Sequence, residues 1–122
     1  MLVWNETDVL TVLEVIPQVE CNGIWHLYEV EKEGIKLVIQ VFQYDGDVRI
    51  ELVNTANNVT IFSMFLMDCN GVLRKKDNTG EYLQFAPAKC FSHRYDGETT
   101  IPYGVRVMVN PNINVMLYRS GH

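Results

Sequence analysis

The sequence predicts an all-β fold, an antiparallel two-sheet β-sandwich of about eight or nine short strands. Three observations predict it. Short apolar/polar alternations recur at spacings of roughly 8–12 residues. Most are separated by tight-turn signals such as Glu33-Gly34, Asp45-Gly46, Asn70-Gly71 and Asn110-Pro111. No stretch carries the sustained 3.6-residue periodicity of a long core helix. A partly open β-barrel is the alternative arrangement of the same strands. The 122 residues suit one domain, 1–122.

Residues 7–16, Thr-Asp-Val-Leu-Thr-Val-Leu-Glu-Val-Ile, are rich in β-branched side chains and read first as a strand. The alternative is a short helix capped by Thr7 or Asp8, with Val9, Leu10, Val12 and Leu13 on its apolar face. Pro17 ends either element, and Cys21-Asn22-Gly23 turns the chain into the next strand.

Two Asp/Glu-Gly turns set the register of residues 24–53. With Glu33-Gly34 central, Lys32 faces Ile35, Glu31 faces Lys36, Glu29 faces Val38 and Trp25 faces Phe42. With Asp45-Gly46 central, Tyr44 faces Asp47, Phe42 faces Arg49 and Ile39 faces Leu52. Both hairpins put Val30, Ile35, Ile39, Val41, Ile50 and Leu52 on one apolar face, with His26 and Tyr28 at the same parity. The other face carries Trp25, Leu27, Glu29, Glu31, Val38, Phe42, Tyr44, Asp47, Arg49 and Glu51. It is too apolar for a solvated surface and too charged for a core.

Residues 59–67 are apolar at both parities, which predicts a central strand covered on both faces. Paired with 47–53, it would add Phe62, Met64 and Leu66 to the mixed face. Short strands follow at 72–75 and 81–85. Pattern is lost between Pro87 and Pro102, then Asn110-Pro111-Asn112 sets Val109, Val107 and Val105 opposite Ile113, Val115 and Leu117.

Composition narrows the function classes. The formal charge is −5, from 15 acidic and 10 basic residues, and Arg74-Lys75-Lys76 is the single basic run, which argues against nucleic-acid binding. No apolar run approaches a membrane span, and the first residues lack a secretory pattern. Three cysteines, Cys21, Cys69 and Cys90, show no disulfide framework. These features predict a cytoplasmic protein with reduced thiols.

Chemistry-bearing residues concentrate in the unpatterned 86–102 segment, where Cys90, His93, Arg94, Tyr95 and Asp96 form a candidate ligand loop. Cys90 and His93 lack a nucleophile motif and the paired spacing of a zinc site. Asp45 and Asp47 serve a turn and lack the further oxygen donors of a cation loop. His26 reads as a hydrogen-bonded core residue, with Tyr28 as the candidate partner. No cofactor, metal or catalytic set is predicted, so a non-enzymatic role is favoured.

The mixed sheet face remains. Trp25, Phe42, Tyr44 and Arg49 are residue types enriched at the energetic centres of protein interfaces, with Glu29, Glu31, Asp47 and Glu51 as an acidic rim. Residues 7–16 or the 103–118 hairpin are candidates to cover its apolar end. The reading that follows is a small acidic interaction protein that binds another, basic, protein through this face, in the manner of an immunity- or antitoxin-like inhibitor. A small-molecule binding module or enzyme using the 86–102 loop, and a homo-oligomeric subunit such as a homodimer, are the alternatives.

Overall fold

Strand-forming segments build two antiparallel sheets in the computed structural model, which describes residues 2–89 and 102–119. In chain order the elements are helix α1 (Glu6–Leu13), β1 (Gln18–Val19), β2 (His26–Lys32), β3 (Ile35–Phe42), β4 (Asp47–Asn54), β5 (Val59–Leu66), β6 (Val72–Asp77), β7 (Gly80–Lys89), β8 (Pro102–Met108) and β9 (Asn114–Arg119). The first sheet has the order β1-β2-β3-β4-β5 and the second β6-β7-β8-β9. The sheets pack face to face as an open sandwich, not a closed barrel.

Residues 7–16 contain a helix, not a strand. Its cap is Asn5, whose side-chain oxygen accepts from the backbone N–H of Thr7 at 2.9 Å and Asp8 at 3.3 Å. Glu14 ends it in the left-handed conformation, its N–H bonded to the Leu10 carbonyl at 2.8 Å. Burial of Val9, Val12 and Leu13 at helical spacing against the sandwich core outweighs the strand preference of the β-branched residues.

The Glu33-Gly34 hairpin matches its predicted register, with Lys32 opposite Ile35, Glu31 opposite Lys36 and Glu29 opposite Val38. Both turn residues have positive φ, 53° and 82°, as a two-residue type I′ turn requires. The β8–β9 hairpin also matches, with Val105 opposite Leu117 and Val107 opposite Val115.

The β3–β4 hairpin differs by two positions. Phe42 faces Asp47, Gln40 faces Arg49 and Ile39 faces Ile50. Of Asp45 and Gly46, Gly46 alone takes a positive φ, so the connection is a four-residue loop closed by the Gly46 N–H on the Phe42 carbonyl at 2.9 Å. Gln43 is drawn out of the ladder by other partners. Its carbonyl accepts from the Leu2 N–H at 2.8 Å, and its amide donates to the Gly23 carbonyl at 2.6 Å. Because the displacement is even, every side chain keeps its predicted face.

Residues 59–66 form an edge strand, not a central one. Val48 pairs with Leu66, Ile50 with Met64 and Leu52 with Phe62, so Phe62, Met64 and Leu66 share the inner face, and Leu66 is fully buried. A bulge opposite Leu52/Val53 takes up Ile61. Tyr28, Ile39, Val41, Val48 and Ile50 pack against Leu83, Phe85, Val105 and Val107 of the second sheet, and α1 joins the same cluster. Helix α1 and the β8–β9 hairpin therefore lie on the inner face, not over the mixed one.

Ion pairs and hydrogen bonds fasten α1 beside the second sheet. Arg74 forms a two-pronged pair with Glu81, at 2.9 and 3.0 Å, and reaches Asp8 of α1 at 3.9 Å. Glu14, just past α1, accepts from the Asn110 amide at 2.6 Å. Lys32 of β2 separately ties the first sheet to the second by donating to the Val109 carbonyl and the Asn110 side chain.

Candidate functional site

The outer face of the first sheet holds most of the residues singled out from sequence, in a different arrangement. Arg49 does not lie opposite Phe42. Its Nε donates to Gln40 Oε1 at 3.0 Å and its Nη1 pairs with Glu51 Oε1, while Ser63 donates to the other Glu51 oxygen at 3.4 Å. The Phe42 ring instead meets Phe65, with centroids 6.2 Å apart and planes tilted by 39°. Phe65 faces Arg49 across β4–β5 and is 47% exposed. Sequence reasoning misses Phe65, because a strand apolar at both parities does not reveal which of them faces outward.

Toward the opposite end of the sheet from this aromatic pair, Glu29 and Glu31 project from β2 opposite Val38 and Lys36, and Lys36 reaches Glu29 at 3.4 Å. Tyr44 stands exposed in the β3–β4 loop, its hydroxyl donating to the Asn22 carbonyl at 3.4 Å. Trp25 is half-buried just before β2, beyond the last β2–β3 pair, His26 with Val41. It therefore forms no ladder pair with Phe42. Val38 is buried under the neighbouring side chains of the same face. The result is an aromatic pair at one corner of the face, beside an Arg–Glu–Gln–Ser network, with the Glu29 and Glu31 carboxylates toward the other end.

Charge divides along the same line as the sheets. Residues 1–68, which include Glu6 and Asp8 of α1 and Glu14 at its end, carry eleven acidic and three basic side chains, a balance of −8. Residues 69–122 carry the other four acids and seven bases, a balance of +3. Counted over the sheets alone, residues 18–66 hold seven acids and three bases, and residues 72–89 with 102–119 hold two acids and six bases. This asymmetry is a property of the sequence itself, and it is the signal that marks the first sheet as the acidic layer.

His26 is a hydrogen-bonded core residue, but its partner is Glu6 of α1, not Tyr28. Nε2 lies 3.0 Å from Glu6 Oε1, and the Trp4 ring packs edge-on at 5.0 Å. Nδ1 is buried without a partner among the described residues. Burial, reinforced by the Glu6 carboxylate, pushes the Tyr28 phenol up to about 12. Cys69 is also buried. Its thiol donates to the Gly71 and Ala86 carbonyls at 3.5 and 3.6 Å, and burial raises it to about 11. Both groups belong to the core and bear no reactive geometry.

The candidate ligand loop Cys90, His93, Arg94, Tyr95 and Asp96 lies outside the described residues. Among the described residues, no three His, Cys, Asp or Glu side chains come together as a metal site. No helix among them is long and apolar enough to cross a membrane.

No family model matches this sequence, and no curated protein does. Among solved structures, a chain of the contact-dependent growth inhibition toxin–immunity protein complex from Klebsiella pneumoniae 342 shares the fold. The TM-score is 0.74 over 93% of this chain and 92% of that one, at 15% sequence identity.

Proposed function

We propose that this chain is an immunity-like inhibitor that binds a basic protein through the outer face of its first sheet. The observation that carries the reading is the Phe42–Phe65 pair, partly open to solvent at one corner of a face that also carries the Asp47, Glu51, Glu29 and Glu31 carboxylates. Aromatic anchors supply affinity once water is excluded, and those carboxylates select the sign of the partner's surface. Bracing of Arg49 by Gln40 and Glu51 lowers the ordering cost on binding. Likeness to a chain of a toxin–immunity protein complex supports the same reading at the level of fold.

The test combines capture with protection. Tagged protein is used to capture partners from extract of its native cell, beside the variants Phe65→Glu and Glu29→Lys/Glu31→Lys. A basic protein retained by the parent and lost from both variants, and whose toxicity on expression is relieved by the parent alone, supports the proposal. Capture that is indifferent to these substitutions overturns it, as does a partner whose toxicity the parent fails to relieve.

A further inference from the structure

We propose that the outer face of the second sheet is a separate docking site for an acidic protein segment, whose carboxylate is received by Arg106. Nothing in this proposal requires the first-sheet reading. Pairing across the sheet sets Leu73, Gln84, Arg106 and Met116 in one row on this face. The Arg106 guanidinium is stacked between two phenol rings, 5.3 Å from the Tyr82 centroid and 4.9 Å from that of Tyr118. Its Nε donates to Gln84 Oε1 at 3.2 Å, which fixes the plane of the fork and turns the Nη groups away from Gln84.

The stack is built into the backbone. The Tyr118 hydroxyl donates to the Phe85 carbonyl at 2.9 Å, and its ring lies over Gly104. A Cβ at Gly104 would come within 2.5 Å of both that ring and that carbonyl, so the residue's bare backbone is what admits the ring. Beside the guanidinium is a depression of about 180 Å³, walled by Tyr82, Met108, Asn114 and Met116.

Charge decides the occupant. Arg106 has no carboxylate partner within ion-pair distance among the described residues. Asp77 also lines the depression and feels the Arg106 charge, but stays beyond ion-pair distance and accepts from the Thr79 N–H and hydroxyl of its own turn. Lys75 adds positive charge on the same face, in the half of the chain whose balance is +3. A held guanidinium whose Nη groups bond no carboxylate among the described residues suits bidentate carboxylate binding, and methionine walls adapt to apolar neighbours of that carboxylate.

The experiment is a two-dimensional amide and arginine side-chain NMR titration of the full chain with acetyl-Tyr-Glu-Glu-amide. Parallel titrations use acetyl-Tyr-Lys-Lys-amide and a single-stranded oligodeoxynucleotide. Saturable shifts are expected at Arg106 Nε–H, the Gln84 amide, Gly104 and Asn114 with the glutamate peptide. Arg106→Gln should weaken that binding about tenfold, and Met116→Glu, on an exposed side chain, should weaken it by repulsion without touching the stack. Phe65→Glu should leave it unchanged, which separates this site from the first-sheet face. Absence of saturable shifts overturns the proposal, as do equal shifts with the lysine peptide or tighter binding of the oligonucleotide at these residues. Self-association of the parent on dilution-series light scattering, lost in Arg106→Gln, would give the face to a second copy and also overturn it.

Discussion

Glu6 Oε1 sits 3.0 Å from His26 Nε2, joining the first turn of α1 to a buried ring on the inner face of β2. This one bond spans the join between the helix and the first sheet. Glu6→Ala leaves both imidazole nitrogens unsatisfied in a buried position and should cost about 1–3 kcal/mol. Glu6→Gln keeps an acceptor and should cost less. Urea unfolding midpoints of the two variants check the order.

Asn5, the residue before Glu6, caps the same end of this helix. Asn5→Ala removes the acceptor for two backbone N–H groups and should lose about 1 kcal/mol, while Asn5→Asp should be nearly neutral. Calorimetric melting of both variants decides the matter.

Gly104 makes a sharper prediction. Gly104→Ala forces a Cβ against the Tyr118 ring and the Phe85 carbonyl, and overpacking of this kind costs roughly 1–3 kcal/mol. Part of the loss should be recovered by adding Tyr118→Ala, since the ring is one of the two obstacles. A double-mutant cycle that finds the two changes additive would rule out the contact.

The buried thiol and phenol give a pH dependence of known sign. Burial raises Cys69 from 9.0 to about 11 and Tyr28 from 10.0 to about 12, so the folded chain keeps both protons after the unfolded chain has lost them. Their contribution is fully present below pH 9 and is lost as pH rises through 11 and 12. Melting temperature should therefore fall steeply above pH 9, and Cys69→Ala should flatten the first part of the fall while starting from a lower value. Cys69 in the native protein should also resist iodoacetamide at pH 9 and label rapidly in denaturant.

Removing an aromatic anchor should be cheap for the fold. Phe65→Ser, on an edge strand and partly exposed, should shift the melting temperature by only a few degrees, corresponding to about 1 kcal/mol or less. Leu66→Ser, one position on but fully buried, should unfold much of the protein. Circular dichroism melts of the pair test which parity of β5 faces the core.

Where turn residues dictate backbone angles, the sequence is legible. Glu33-Gly34 and Asn110-Pro111-Asn112 each set a register that the structure reproduces along the ladder, short of the predicted end pairs Trp25–Phe42 and Val109–Ile113. Asp45-Gly46 predicts the right faces and the wrong pairs, because the Gln43 backbone and side chain answer to Leu2 and Gly23, partners remote in sequence. The helix at Glu6–Leu13 is legible in residues 7–16 only as the second choice, since its cap, Asn5, precedes them and its stability comes from burial against strands far along the chain. Phe62, Met64 and Leu66 face inward, against expectation, because an apolar edge strand and a central one look alike until their neighbours are known. The Tyr82–Arg106–Tyr118 stack depends on the β7–β8 register, which no local turn signal sets.

Residues 18–66, which hold the first sheet, balance at −4, and residues 72–89 with 102–119, which hold the second, at +4. With its two sheets stacked, the molecule is therefore an electric dipole whose axis runs from one to the other. In the field of a basic partner it experiences a torque before it experiences contact, so it arrives already turned. Productive collisions are then a larger share of all collisions, and that gain fades as ionic strength shortens the reach of the field.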